Sequence, residues 1–140
     1  MIYFKICKKQ IKITSDKLEI IRADNLSIFS GNVHALEGNL EIWSEKLIIT
    51  SSDDEKIIEK VDALNNVKIF RDELYIEGNK AKYDPIMNTL IVFGEVKVRQ
   101  NENFILCDEI VVDLKKSSSI MRGGSTNRVK ALIVSKDVIK

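Results

Sequence analysis

Three carboxylates recur at matching places along the chain. Asp16, Glu45 and Asp108 each stand one position before Lys17, Lys46 and Glu109. Paired acidic side chains can hydrolyse glycosidic bonds, one as proton donor and the other as base or nucleophile. A carbohydrate-processing β-helix enzyme is therefore one reading of them. The plainer reading is that they mark strand corners and recur because the units recur. Other chemistry is sparse. His34 is the only histidine, and no His/Cys cluster offers a zinc site. There is no Gly-x-Ser-x-Gly elbow, Walker loop or dinucleotide fingerprint. The single tryptophan, Trp43, offers a face for a sugar, although an ordinary packed or partly exposed aromatic is the plainer role. Cys7 and Cys107 make no disulfide framework. One bridge and two unpaired thiols are the alternatives, with unpaired thiols the plainer. No enzyme activity, metal or cofactor is expected.

The carboxylates belong to a repeating frame. With Lys17, Lys46, Lys80 and Glu109 placed in one column, the column positions lie 29, 34 and 29 residues apart. Six and four residues before the column stand Ile11 and Ile13, Leu40 and Ile42, Leu74 and Ile76, Asn103 and Ile105. One and three residues after it stand Leu18 and Ile20, Leu47 and Ile49, Ala81 and Tyr83, Ile110 and Val112. Within each half the period is two, the mark of a half-buried strand. Between the halves the step is five. A straight strand with an odd step throws half its apolar set to the wrong face. A bulge or corner is therefore expected at the small-acidic-basic junction of each copy.

A second marker recurs at Val33, Val67 and Val96, in Gly-Asn-Val, Asn-Asn-Val and Gly-Glu-Val, followed two residues on by Ala35, Ile69 and Val98. Glu37-Gly38-Asn39 between apolar alternations predicts a hairpin turn. Another odd step, from Ile28 to Val33, is read in the second strand. Ser117-Ser118-Ser119 and Gly123-Gly124-Ser125 read as loops, and Arg128 to Val138 as a last strand. No stretch of ten or more residues has helical periodicity. Repeats of roughly 20–50 residues suggest a solenoid or stacked array whose units bury their apolar faces only against neighbours.

Composition sets the outer bounds. The chain has 140 residues, 44% hydrophobic and 31% charged, with a formal net charge of +1. That charge argues against general nucleic-acid binding. Met1 to Cys7 is apolar but short and lacks a complete signal-peptide pattern. Lys116 to Lys140 is weakly basic, either attracting lipid phosphates or solvating a tail, with the tail preferred. The domain division expected is an N-terminal segment over 1–10, a remnant of an export signal in one reading, one β-domain over 11–135 and a tail over 136–140.

The ordered set Ile13-Thr14-Ser15-Asp16-Lys17-Leu18, Phe29-Ser30-Gly31-Asn32-Val33, Gly38-Asn39-Leu40, Ser44-Glu45-Lys46-Leu47, Asn66-Val67 and Gly78-Asn79-Lys80-Ala81-Lys82-Tyr83 resembles the LptA/OstA-like family of periplasmic lipopolysaccharide-transport proteins. The resemblance runs from Ile11 to Ser135. It implies an all-β fold, a twisted V-shaped antiparallel β-jellyroll of stacked bent strands around an apolar groove. It also implies a periplasmic carrier of lipopolysaccharide with the lipid A acyl chains in the interior. The implied partners are an LptC-like inner-membrane protein at one end and an LptD-like outer-membrane protein at the other. Head-to-tail homo-oligomers would form by edge-strand pairing. Acyl contacts are expected on the inward face formed by Ile11, Ile13, Leu18, Ile20, Leu40, Ile42, Leu47, Ile49, Leu74, Ile76, Ile105, Ile110 and Val112. Ile28, Val33, Val67, Ile69, Val96 and Val98 join them from the second marker. Ile11 and Ile13 are singled out near the N-terminal opening. The competing readings are a structural or adhesive β-solenoid with a sealed core, and an LptC-like member of the same transport system.

Overall fold

The computed structural model describes residues 10–54, 57–124 and 127–134. Among these, ten strands form one antiparallel sheet: β1 (Lys12–Thr14), β2 (Lys17–Ile21), β3 (Leu26–Glu37), β4 (Leu40–Ser51), β5 (Ile58–Arg71), β6 (Leu74–Asp84), β7 (Thr89–Gln100), β8 (Asn103–Asp113), β9 (Ser118–Arg122) and β10 (Lys130–Leu132). A short 3-10 turn, Arg22–Asp24, joins β2 to β3. The order is β1-β3-β4-β5-β6-β7-β8-β10, with β2 also on β3 and β9 also on β8. The 29–34-residue repeat is thus one strand pair of a meander, and each strand buries its apolar face only beside its neighbours.

Local chemistry sets the turns. The β3–β4 hairpin closes through Gly38-Asn39, with Gly38 at φ 58°. Asp72 and Asn101 take the same left-handed position in the β5–β6 and β7–β8 turns, at φ 55° and 56°. Glycine and the short polar residues reach that region most readily. At the opposite end Asp84 Oδ1 accepts from the Ile86 and Met87 N–H groups at 2.9 and 3.0 Å. Asp113 Oδ1 does the same for Lys115 and Lys116, both at 3.0 Å. Pro85 sits in this turn and takes nothing from the strand ladder.

Every long strand bends in its middle, and the bend is carried unequally. In β4 the inward residues Ser44 and Leu47 are three apart. In β3 the inward residues Phe29 and Val33 are four apart, and Gly31 and Asn32 between them have φ 84° and 47°. The extra residue therefore lies in β3, β5 and β7, at Gly31-Asn32, Asn65-Asn66 and Gly94-Glu95, all with positive φ. The junction in β4, β6 and β8 supplies the odd step, and the facing strand supplies the bulge. This corrects the reading of Ile28. The step in β3 is even, so Ile28 lies opposite Glu19 and Ile48 on the outer face, and Phe29 points inward.

β9 corrects the other expectation. Ser118 and Ser119 begin a strand that pairs with Asp113 and Val112 of β8. Serine is a poor strand former, and the segment is held by the backbone ladder of β8, with Met121 packed on the core. Within the described residues the last strand is Lys130–Leu132, and the part of the expected strand from Ser135 lies outside them.

Candidate functional site

The bends turn the sheet into two facing walls, and the inner face of each is laid out in rows across the strands. On the first wall one row runs Ile13, Ala35, Ile42, Ile69, Ile76, Val98, Ile105, Ala131. On the second wall another runs Leu18, Phe29, Leu47, Ala63, Ala81, Val92, Ile110, Met121. Beside it lie Ile20, Ser27, Ile49, Val61, Tyr83, Leu90, Val112 and Ser119. The first two rows thus make an unbroken apolar lining from the first strands to the last.

The expected inward residues divide by depth. Val33, Leu40, Ile42, Leu47, Ile49, Val67, Ile69, Ile76, Val96, Val98, Ile110 and Val112 are buried in one cluster. Ile11, Ile13, Leu74 and Ile105 are partly buried against it. Leu18 and Ile20 share the inward face but are 49% and 53% exposed, because β2 is the end strand of its wall. Ile28 alone is on the other side. Through the middle, the side chains of the two walls fill the space between them. At the C-terminal end a cavity of about 500 Å³ opens among Leu74, Val98, Ile105, Val112, Met121 and Ile133, with Arg71, Gln100 and Ser117 at its polar margin.

Sequence reasoning missed Phe29, Val61, Ala63, Leu90, Val92 and Leu114. A signal for three of them was present. Phe29, Ala63 and Val92 each stand four residues before the marker valines Val33, Val67 and Val96.

The rim opposite the bends is polar. The Tyr83 hydroxyl donates to Glu37, and Arg71 Nη2 donates to the Leu114 carbonyl at 2.7 Å. Both bonds pass from one wall to the other. They border a cavity of about 630 Å³ that also touches Asn39, Leu40, Asn88 and Lys115. Burial pushes the Tyr83 hydroxyl well above its ordinary range. The hydrogen bond to Glu37 and that residue's charge add to the rise, against the pull of Arg71. The second carboxylate oxygen of Glu37, Oε2, is buried and has no hydrogen-bond partner among the described residues.

The recurring acids stand at the corners. Asn32 Nδ2 donates to Asp16 Oδ2 at 3.2 Å, and Asn66 donates to Glu45 in the same way. Asp108 lies under Gly124. Asp16 and Glu45 thus hold the bulges of the neighbouring strands. His34 is on the outer face, its Nε2 2.6 Å from Glu41 Oε2 and its ring stacked on Trp43 with centroids 3.8 Å apart. Cys107 is a buried thiol whose pKa is raised, chiefly by burial. Cys7, the segment before Gln10 and the tail from Ser135 lie outside the described residues. Among the described residues no group of His, Cys, Asp or Glu is arranged to hold a metal ion, and no helix is long and apolar enough to cross a membrane.

Residues 12–118 match the model of a family described as LptA/(LptD N-terminal domain) LPS transport protein. The fold is similar to the crystal structure of LptH, the LptA homologous periplasmic component of the conserved lipopolysaccharide transport device from Pseudomonas aeruginosa. The two superpose with a TM-score of 0.80 over 91% of this chain and 96% of that one, at 14% sequence identity. No curated protein matches the chain by sequence.

Proposed function

This chain belongs to the LptA/(LptD N-terminal domain) family of LPS transport proteins, and from that premise we propose that it is a lipopolysaccharide carrier in the bridge between inner and outer membranes. The observation that carries this reading is the unbroken apolar lining between two walls, exposed at Leu18 and Ile20 at one end and at a cavity at the other. A sealed scaffold would cover both ends.

The acyl chains lie along the inner rows, and the phosphorylated sugars stay in water. Each methylene taken out of water contributes about 0.8 kcal/mol. A multi-chain lipid is thereby held with no dominant contact. The middle of the interior is closed by aliphatic side chains from both walls. Acyl chains that part the walls replace one apolar contact with another, so the net cost of opening falls on the polar rim.

The ends supply the assembly. Among the described residues, β1 and β2 at one end and β9 and β10 at the other each pair on one side only. Such edges are templates for adding a strand from another chain. We assign them to head-to-tail association with further copies, to an LptC-like protein at one end and to an LptD-like protein at the other. This work takes place in the periplasm. The test is binding of purified lipopolysaccharide with a photo-crosslinker at Ile13 and, as control, at Asp54. Crosslinking at Ile13 alone, competed by unlabelled lipid A, is expected. No crosslinking at either site in the folded protein would overturn the reading in favour of a scaffold.

A further inference from the structure

Two hydrogen bonds tie the free rims of the walls together, and they share one geometry. Glu37 ends β3 and Tyr83 lies near the end of β6; Arg71 ends β5 and Leu114 follows β8. Each bond joins strands three places apart in the sheet order. Neither partner pair is brought together by the ladder, so both contacts exist only while the walls are closed. We propose that these two bonds form a latch on the side of the groove, and that lipid enters when the latch opens. This inference rests on the carrier reading above.

The chemistry suits a contact that must break. A charge-assisted bond such as Tyr83 to Glu37 is stronger than a neutral one. Its carboxylate, however, leaves Oε2 buried without a partner among the described residues, and an unmet buried acceptor opposes closure. The closed state therefore includes its own penalty, which water relieves on opening. Arg71 acts likewise, giving one Nη2 hydrogen bond to a backbone carbonyl that water can replace. The latch borders the 630 Å³ cavity, so parting the rim widens existing space before it disturbs the packed middle. Leu40, buried on the first wall, lines the same cavity. The latch thus sits directly over the apolar lining.

The test uses spin labels at Glu73 and Met87, exposed turn residues on opposite rims, together with stopped-flow uptake of purified lipopolysaccharide by the whole chain. Tyr83→Phe removes the hydroxyl and keeps the ring. Arg71→Met removes the guanidinium and keeps the stem. Each is expected to lengthen the label distance in the lipid-free protein and to raise the uptake rate by about tenfold, the scale of one hydrogen bond to a charged group. Glu37→Gln offers Tyr83 only a neutral oxygen and is expected to load at a rate between the parent and Glu37→Leu, which is expected to load fast. Thermal melts restrict the comparison to folded variants. Unchanged distance and rate in both Tyr83→Phe and Arg71→Met, with the parent binding lipid, would overturn the latch. A parent that binds no lipopolysaccharide would overturn the carrier reading instead, and the label distances alone would then decide whether the rims are latched.

Discussion

Asp16 and Asn32 meet across the first corner of the sheet, with Asn32 Nδ2 donating to Asp16 Oδ2 at 3.2 Å. The Asp16 N–H also reaches the Gly31 carbonyl at 2.9 Å. One residue thus holds the bulge of the neighbouring strand with both side chain and backbone. Glu45 and Asn66 repeat the side-chain half of this arrangement. A carboxylate with this task is a brace, and its recurrence follows from the recurrence of corners.

Glycine at the corner is the first testable consequence. Gly31 and Gly94 have φ of +84° and +89°, and a β-carbon there would lie 2.6 Å from Asp16 Oδ2 or 2.7 Å from Asn79 Nδ2. Gly31→Ala and Gly94→Ala are each expected to destabilise the fold by about 1–3 kcal/mol, from the strained backbone and the displaced brace. Urea denaturation measures it. Asp16→Asn keeps an acceptor for Asn32 and should bind lipopolysaccharide like the parent, whereas a catalytic acid would not tolerate the amide.

Position along the interior separates stability from lipid capture. Ile42 and Ile76 are 4% and 1% exposed. Truncating either to alanine is expected to cost about 2–5 kcal/mol of stability, as for other well-packed aliphatic residues. Leu18→Ser and Ile20→Ser act on half-exposed positions and should change stability by no more than about 0.5 kcal/mol. These end variants are expected to weaken lipopolysaccharide binding all the same. Paired denaturation and binding curves check this, and unchanged binding in both would remove the N-terminal end from the lipid path.

High pH should loosen the sheet through its tyrosines. The Tyr75 hydroxyl is pushed up to about 12, first by burial, then by its hydrogen bond to Glu77 and that residue's charge, against the pull of Arg99. Tyr83 is raised further. An acid with a raised folded-state pKa holds its proton more tightly in the folded protein. Its contribution is complete below the unfolded value of 10.0 and disappears as pH rises through the folded one. Stability should therefore fall steadily above pH ~10. Tyr83→Phe should flatten that slope, as read by thermal melts across the alkaline range, and tyrosinate absorbance should show the two tyrosines ionising late.

The edges give a prediction about assembly. Ala131 lies in β10, opposite Ile105. Ala131→Pro removes a backbone donor from this three-residue strand and should remove the template it offers. Light scattering across a concentration series is expected to show end-to-end growth in the parent and little in the variant. A parent that stays a monomer throughout would count against homo-oligomers.

Most of the long strands, the turns at Gly38-Asn39 and Asn101-Glu102 and most of the lining are legible in the chain itself, because a period of two and a turn residue are local properties. The sequence also placed the corners, since an odd step between apolar runs has no straight-strand solution. The three-dimensional arrangement decided the rest. Which strand of a pair takes the extra residue depends on register, and it sent Phe29 inward and Ile28 outward. β9 exists because β8 presents a ladder to it, a property of the neighbour rather than of Ser118 and Ser119. The latch joins residues 46 and 43 positions apart. Nothing in the spacing of Glu37, Tyr83, Arg71 and Leu114 announces their meeting, because it follows from how far the whole sheet bends and twists before its two rims touch.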